Sequence, residues 1–217
     1  MADLRLYTYF RSSAAYRVRI ALNLKGLDYT AVPVHLLRGG GEQHGAAFAE
    51  LNPAGLVPVL QDGAATLTQS LAIIEYLEQM YPTPALLPAD AAARARVRAL
   101  ALSIACDIHP LNNLRVLRFL KSEFNLDDAQ RQLWSVHWLR RGFDALEHML
   151  AGSSQTGSYC HGESPTLADC CLVPQIANAQ RVQCALDAYP TLMRIHDRCM
   201  GLAAFARAAP GAQPDAE

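Results

Sequence analysis

The sequence lacks the features that would place it in a membrane or among secreted, disulfide-bonded proteins. No uninterrupted apolar run is long enough to span a bilayer. The first four residues, MADL, contain neither the basic nor the apolar region of a signal peptide. The six cysteines all lie between residues 106 and 199 without the density of a disulfide scaffold, and no CxxC motif occurs. We therefore expect a soluble cytoplasmic protein.

Concentrated charge and complete metal-ligand patterns are also absent. The chain has 19 Lys and Arg against 20 Asp and Glu, a net charge of −1, with no basic stretch interleaved with aromatic residues. This balance excludes a nucleic-acid partner from our expectations. Cys106 and His109 have the i, i+3 spacing of half a metal site, but no second pair completes it. We therefore expect no metal.

What the chain does have is apolar sequence, at 51% of its 217 residues, which is enough for one or two globular domains. The first part alternates between strand and helix patterns. Strands are predicted over residues 4–9, 29–34, 57–60 and 65–68, and helices follow the first and the last of them. Ser12 and Ser13 lie where a strand turns into a helix. Their hydroxyls can serve as ordinary helix caps, or they can join the free amides there in binding an anion.

The second part of the sequence is predicted to be almost entirely helical. Three prolines and no periodicity mark residues 82–90 as a linker between a mixed α/β domain, residues 1–81, and an all-helical domain, residues 91–217. Pro110 should break a long helix over residues 94–120. Thr166 and Asp169 have capping-box spacing at the start of another helix. The tail after Pro210 is predicted to be loose.

The order β-α-β then β-β-α, with Pro58 opening the third strand, resembles the thioredoxin-like domain. Where a redox member of that fold carries CxxC, this chain has Ser12–Ala15, which argues against disulfide exchange. Joined to an all-helical domain, the whole chain resembles a cytosolic glutathione transferase of the zeta class. The family's Ser-Ser-Cys-x-Trp-Arg-Val-Arg-Ile-Ala-Leu run corresponds to residues 12–22, with Ala14 for the cysteine and Tyr16 for the tryptophan. Further matching blocks are residues 52–53, 57–58, 69–77, 82–88, 109–117 and 166–175.

This resemblance implies a glutathione site. The catalytic residues it implies are Ser12, which would hydrogen-bond the glutathione sulfur, with Ser13 and Arg17 in the same element. For each residue a purely structural role is the alternative. The glutathione-binding positions implied beside Ser12 are Gln43, Val57 through its main chain, Pro58 as a cis proline, Gln69 and Ser70 as the grip on the γ-glutamyl carboxylate, His109 and Asn113.

The resemblance further implies a glutathione-dependent cis–trans isomerase acting on a maleyl keto acid in aromatic amino acid or gentisate catabolism. Arg11, Arg115 and Arg181 would bind the substrate's carboxylates, with solvated surface arginine as the alternative. Maleylacetoacetate and maleylpyruvate both remain open as substrates. A general conjugating transferase and a non-catalytic glutathione-binding protein are the competing functions. A homodimer is expected from the family.

Overall fold

The computed structural model describes residues 4–217, which divide into two compact units. The first consists of the described part of Met1–Leu86 together with Met200–Glu217, and the second is Leu87–Cys199. The C-terminal segment thus packs with the first unit, whereas the sequence places it in the helical domain. The reason is visible in side chains of the first helix. Tyr16, Asn23 and Arg19 donate hydrogen bonds to the carbonyls of Phe205, Ala204 and Ala208, respectively.

A four-stranded mixed sheet forms the centre of the first unit. The strands are β1 (Leu4–Thr8), β2 (Thr30–Pro33), β3 (Val59–Asp62) and β4 (Ala65–Thr68). Their order is β2-β1-β3-β4, with β1 and β2 parallel and the other pairs antiparallel. Leu6 lies opposite Ala31 on one side and Leu60 on the other. The predicted thioredoxin-like arrangement is confirmed.

The helices of the described residues each bury at least one apolar side chain. In chain order they are α1 (Ser13–Leu24), α2 (Ala46–Leu51), α3 (Ser70–Met80), α4 (Ala91–Leu102), α5 (Leu114–Phe124), α6 (Asp128–Ala151), α7 (Leu167–Arg181), α8 (Pro190–Met200) and α9 (Ala203–Ala208). In the first unit, α1 buries Val18 and Ile20, and α3 buries Ile73 and Leu77, all without exposed surface. The helical character predicted for the second unit is confirmed.

The predicted break at Pro110 is confirmed, and it begins earlier than the proline. Helix α4 ends at Leu102, a π-helical segment runs over Ser103–Ile108, and a 3₁₀ turn covers His109–Asn112 before α5 begins. Proline lacks the N–H that would continue the helical ladder, so the chain leaves the helix here. Gly142 of α6 makes room for this segment, since a Cβ there would lie 2.2 Å from the Ile108 side chain.

A buried carboxylate organises the start of α7. Asp169 has no exposed surface and accepts hydrogen bonds from the backbone N–H of Cys160 (2.8 Å) and of Thr166 (2.7 Å), and from the Thr166 hydroxyl (2.7 Å). Burial raises the pKa of Asp169, and the hydrogen bonds that it accepts oppose this rise. The predicted pairing of Thr166 with Asp169 is confirmed.

Candidate active site

Ser12 caps α1, and its hydroxyl is left with a free donor. The residue has extended φ and ψ of −71° and 113°, and its Oγ accepts the N–H of Ala15 at 3.2 Å. Accepting that bond uses a lone pair of the oxygen, so the hydroxyl hydrogen can still be donated to a ligand. Ser13, the first residue of α1, is buried. The structural and the functional interpretations of Ser12 are therefore compatible.

Arg17 and Ser70 are brought into direct contact. Both side chains are buried, and Nη1 of Arg17 donates to Oγ of Ser70 at 3.2 Å. Arg17 lies in α1, one turn beyond Ser13, and Ser70 is the first residue of α3. The contact joins the beginnings of two helices, and both helix dipoles are positive at that end.

Gln69 precedes α3 in an unusual backbone conformation. Its φ is 67° and its ψ is 115°, a region that residues other than glycine rarely adopt. Its side chain is exposed and forms no capping hydrogen bond with the helix. The first amides of α3 therefore have no side-chain cap, and a helix start in this state attracts an anion.

Val57 and Pro58 lie directly before β3. The peptide bond between them is cis, as expected. Val57 is buried in a cluster with Tyr9, Phe10 and Phe48, which fixes it beside the turn that leads into α1.

Gln43 presents a buried acceptor. Its Nε2 lies 3.0 Å from Nε2 of His44, whereas its Oε1 is buried and has no hydrogen-bond partner among the described residues. Gly41 leaves the space around this amide, since a Cβ there would lie 2.6 Å from the amide atoms. A ligand N–H would satisfy the buried oxygen, whose desolvation otherwise costs about 1–3 kcal/mol.

His109 and Asn113 lie at the break between α4 and α5 in the second unit. His109 is half-buried at the start of the 3₁₀ turn, and Asn113 caps α5 by accepting the N–H of Arg115 at 3.1 Å. Trp134 of α6 donates its indole N–H to the carbonyl of Leu111 at 2.9 Å, which anchors the turn. The structure shows the capping role of Asn113, and its role toward glutathione stays a prediction.

The three predicted substrate arginines are all exposed, and they lie in both units. In the first unit the guanidinium of Arg11 lies 4.9 Å from the centre of the Phe10 ring. In the second unit Arg115 lies in the first turn of α5, and Arg181 is the last residue of α7. Their action as one carboxylate clamp stays a prediction.

Sequence reasoning missed two residues that hold the turn before Ser12. Arg19 is fully buried and donates to the carbonyls of Tyr9 (3.3 Å) and Phe10 (3.1 Å), and burial lowers its pKa to about 10. Asp215 accepts the N–H of Phe10 at 3.0 Å, so the tail is tied down and the prediction of a loose tail is wrong. The sequence did contain a signal for Arg19, since it is a charged residue among the apolar positions of α1.

Comparison with known proteins defines the class. The model for the glutathione S-transferase N-terminal domain matches residues 6–85, and the model for the C-terminal domain matches residues 127–207. Over 216 residues, 100% of both chains, the sequence is 53% identical to a probable maleylacetoacetate isomerase of Vibrio cholerae. It is 52% identical over 213 residues to a maleylpyruvate isomerase of a Ralstonia species, covering 98% of this chain and 99% of that one.

A solved structure agrees with these sequence matches. It is described as the holo structure of a maleyl pyruvate isomerase, a bacterial glutathione S-transferase of the zeta class. The TM-score is 0.96 at 52% identity, covering 98% of this chain and 100% of that one. The chain therefore belongs to the glutathione S-transferase family. Within it, the chain groups with the zeta-class maleylacetoacetate and maleylpyruvate isomerases.

The residues of the first unit fit glutathione, a tripeptide with a carboxylate at each end, amide N–H groups between them and a central thiol. The uncapped start of α3 at Ser70 suits a carboxylate, and the unpartnered Oε1 of Gln43 suits an N–H donor. The free donor of Ser12 suits a thiolate. The first unit thus offers candidate partners for one carboxylate, an amide N–H and the thiolate of such a ligand.

Proposed function

We propose that the protein is a glutathione-dependent cis–trans isomerase that converts a maleyl keto acid into its fumaryl isomer. The observation that carries this proposal is the pair of helix starts joined by Arg17 and Ser70, beside a serine hydroxyl that can donate. Such an arrangement suits an anionic cofactor that brings a thiolate. The names of relatives that are about half identical to this chain along their whole length support the same reaction.

Ser12 has the central role in the proposed mechanism. Glutathione, when bound, would supply a thiolate that adds to the activated double bond and, after rotation about the resulting single bond, leaves again so that the double bond re-forms. The Ser12 hydroxyl donates a hydrogen bond to the sulfur, and the start of α1 adds a favourable field. Both interactions favour the charged form of the thiol and so lower its pKa.

The other residues of the first unit hold the cofactor in place. Gln69 and the first amides of α3 bind the γ-glutamyl carboxylate, and Arg17 orients the hydroxyl of Ser70 toward it. Val57 binds through its main chain, beside Pro58. Gln43 accepts an N–H of the tripeptide. In the second unit, His109 and Asn113 are proposed as further contacts.

Arginines would bind the substrate. A net charge of −1 gives no global attraction for a dianion, so the binding of maleyl keto acids requires local cations. Arg11, Arg115 and Arg181 are proposed for this role because a guanidinium offers paired donors to a carboxylate.

The finer parts of the proposal concern the protein's biological setting. We propose maleylacetoacetate or maleylpyruvate as the substrate, which corresponds to aromatic amino acid catabolism or the gentisate pathway. We also propose a homodimer in the cytoplasm. None of the described helices is long and apolar enough to cross a membrane, and the described residues contain no cluster that could hold a metal ion.

The test is turnover of both maleyl substrates with catalytic and with stoichiometric glutathione, followed by NMR. An isomerase forms the fumaryl product over many turnovers per glutathione and leaves the glutathione unchanged. Accumulation of a glutathione adduct in proportion to glutathione consumed would instead establish a conjugating transferase. Binding of glutathione without turnover of either substrate would establish a non-catalytic protein.

A further inference from the structure

The C-terminal segment reaches the turn that leads into α1. Asp215 accepts the backbone N–H of Phe10 through Oδ2 at 3.0 Å, across 205 positions of sequence. Phe10 is 4% exposed, so this N–H is a buried donor that needs a partner. Two residues further along the chain, Ser12 is the N-cap of α1. Its own N–H donates to the carbonyl of Tyr9 at 2.9 Å.

The carbonyls of the same turn are held by Arg19. Its guanidinium donates to Tyr9 and Phe10, to the Thr8 hydroxyl at 2.9 Å, and to the carbonyl of Ala208 at 3.0 Å. The charge of Asp215 also stabilises the charged form of this buried guanidinium, against the burial that lowers its pKa. The backbone of the turn is therefore hydrogen-bonded by two side chains: Arg19 donates to its carbonyls, and Asp215 accepts its N–H.

The segment that carries Asp215 is itself anchored. Gln213 is 9% exposed, and its Nε2 donates to the carbonyls of Arg207 (2.8 Å) and Ala209 (2.9 Å). Beyond Asp215, Glu217 pairs with Arg38 at 2.7 Å on the surface. The carboxylate of Asp215 thus approaches Phe10 from a docked segment, which allows it to fix the position of the turn.

We propose that Asp215 is a positioning residue for the reaction, acting through Phe10 on the placement of Arg11 and Ser12. This inference rests on the proposed function, because it assumes that Arg11 and Ser12 face the reacting groups. A donor to a thiolate must be held within a narrow range of distance, and a displacement of about 1 Å can cost as much as 10²-fold in rate. Loss of the Asp215 contact frees the N–H of Phe10 and lets the turn shift.

The experiment compares Asp215→Ala with Asp215→Asn. Asparagine keeps an oxygen that can accept the N–H of Phe10, whereas alanine keeps none. We expect Asp215→Ala to lower kcat by about 10- to 100-fold, and glutathione affinity, measured by calorimetry, to change by less than about threefold, since a threefold change is under 1 kcal/mol. Asp215→Asn should recover most of the lost kcat. Truncation after Gln213 should reproduce Asp215→Ala, because Gln213 still anchors what remains.

Glu217→Ala is the matched control, because it removes a carboxylate of the same tail whose partners are the side chains of Arg38 and His35 and not the backbone of the turn. It should leave kcat unchanged. A second readout is independent of turnover: Asp215→Ala should speed amide hydrogen exchange over residues 10–15, and Asp215→Asn should do so much less.

The result that would overturn this inference is unchanged kcat in Asp215→Ala, or equal losses in Asp215→Ala, Asp215→Asn and Glu217→Ala. Failure of the proposed function would look different. The wild-type protein would then not isomerise either substrate, whereas the exchange difference between the alanine and asparagine variants would persist.

Discussion

The guanidinium of Arg17 donates to the hydroxyl of Ser70 across 3.2 Å and so couples the start of α1 to the start of α3. This bond orients Ser70, which is proposed to lie at the γ-glutamyl carboxylate. Arg17 belongs to α1, the helix capped by Ser12, the proposed hydrogen-bond donor to the thiolate. Replacement of Arg17 should therefore disturb the binding of the cofactor.

We expect Arg17→Met to weaken glutathione binding by about 10-fold or more, since a hydrogen bond from a charged group contributes about 1.5–3 kcal/mol. Methionine retains much of the packing volume in this buried position. Calorimetric titration with glutathione measures the effect. Arg5→Met, which removes an exposed arginine of β1, is the control and should bind normally. Equal affinity in both variants would contradict the role of Arg17.

Ser12→Ala should lower kcat by about 10²- to 10³-fold, which is the usual effect of losing one hydrogen-bond donor to an anion in an active site. It also removes a helix cap, which costs about 0.5–2 kcal/mol of stability. Asp90→Ala separates the two effects, since Asp90 caps α4 by accepting the N–H of Ala93 at 2.8 Å. This control should lose similar stability and keep its kcat. If Ser12→Ala keeps kcat while Ser13→Ala loses it, Ser13 is the donor.

The backbone of Gln69 allows conformational strain to be separated from ligand contact. Gln69→Ala and Gln69→Gly should weaken glutathione binding equally, because both remove the side chain. Glycine tolerates a φ of 67°, so the glycine variant should be more stable than the alanine variant by about 1 kcal/mol or more. Denaturant unfolding and calorimetry measure the two effects. Equal stabilities would show that this conformation carries no strain.

Asp169 should govern stability without affecting the reaction. Asp169→Ala leaves three buried donors without an acceptor, at about 1–3 kcal/mol each, so unfolding free energy should fall by about 3 kcal/mol or more. Asp128→Ala is the control, since that side chain is 93% exposed, and it should change stability by about 0.5 kcal/mol at most. A loss of similar size in both variants would contradict the prediction.

The raised pKa of Asp169 also predicts a pH effect. The pKa of Asp169 in the folded protein is raised above 3.8, its ordinary value, so the folded protein holds this proton more tightly than the unfolded chain does. The stability that Asp169 contributes is therefore greatest at low pH and falls as pH rises through the raised pKa, above which it is constant. The measurement is the difference in unfolding free energy between wild type and Asp169→Asn as a function of pH. If the unfolding free energy of the wild type instead increased relative to that of Asp169→Asn as the pH rises, the prediction would be contradicted.

The proposed clamp is tested with the diacid substrate and its neutral ester. Alanine replacements of Arg11, Arg115 and Arg181 should each lower kcat/KM for the diacid by roughly 10- to 100-fold, and they should change the ester rate little. Arg141→Ala, at another exposed arginine, is the control. If the wild type turned over the ester as fast as the diacid, the proposed carboxylate clamp would be contradicted, and a conjugating transferase would be favoured.

Local patterns predicted much of this fold because they act over a few residues. Alternation and turn residues gave the strands, and the spacing of Thr166 and Asp169 gave the start of α7. The contact of Asp215 with Phe10 could not be predicted, since it joins positions 205 residues apart and only the packed tail brings them together. The φ of Gln69 was equally hidden, because no propensity favours it in glutamine.

The first unit is discontinuous in sequence, and this affects the order in which the protein can be built. During synthesis the sheet and α1 emerge long before Met200–Glu217, yet the carbonyl of Ala208 and the carboxylate of Asp215 complete the contacts of α1 and its preceding turn. The nascent unit therefore carries an unfinished Arg19 site until Ala208 has been made. The turn before Ser12 reaches its final hydrogen bonding only after Asp215 has left the ribosome, so the unit whose synthesis begins first is completed after the whole second unit has been made.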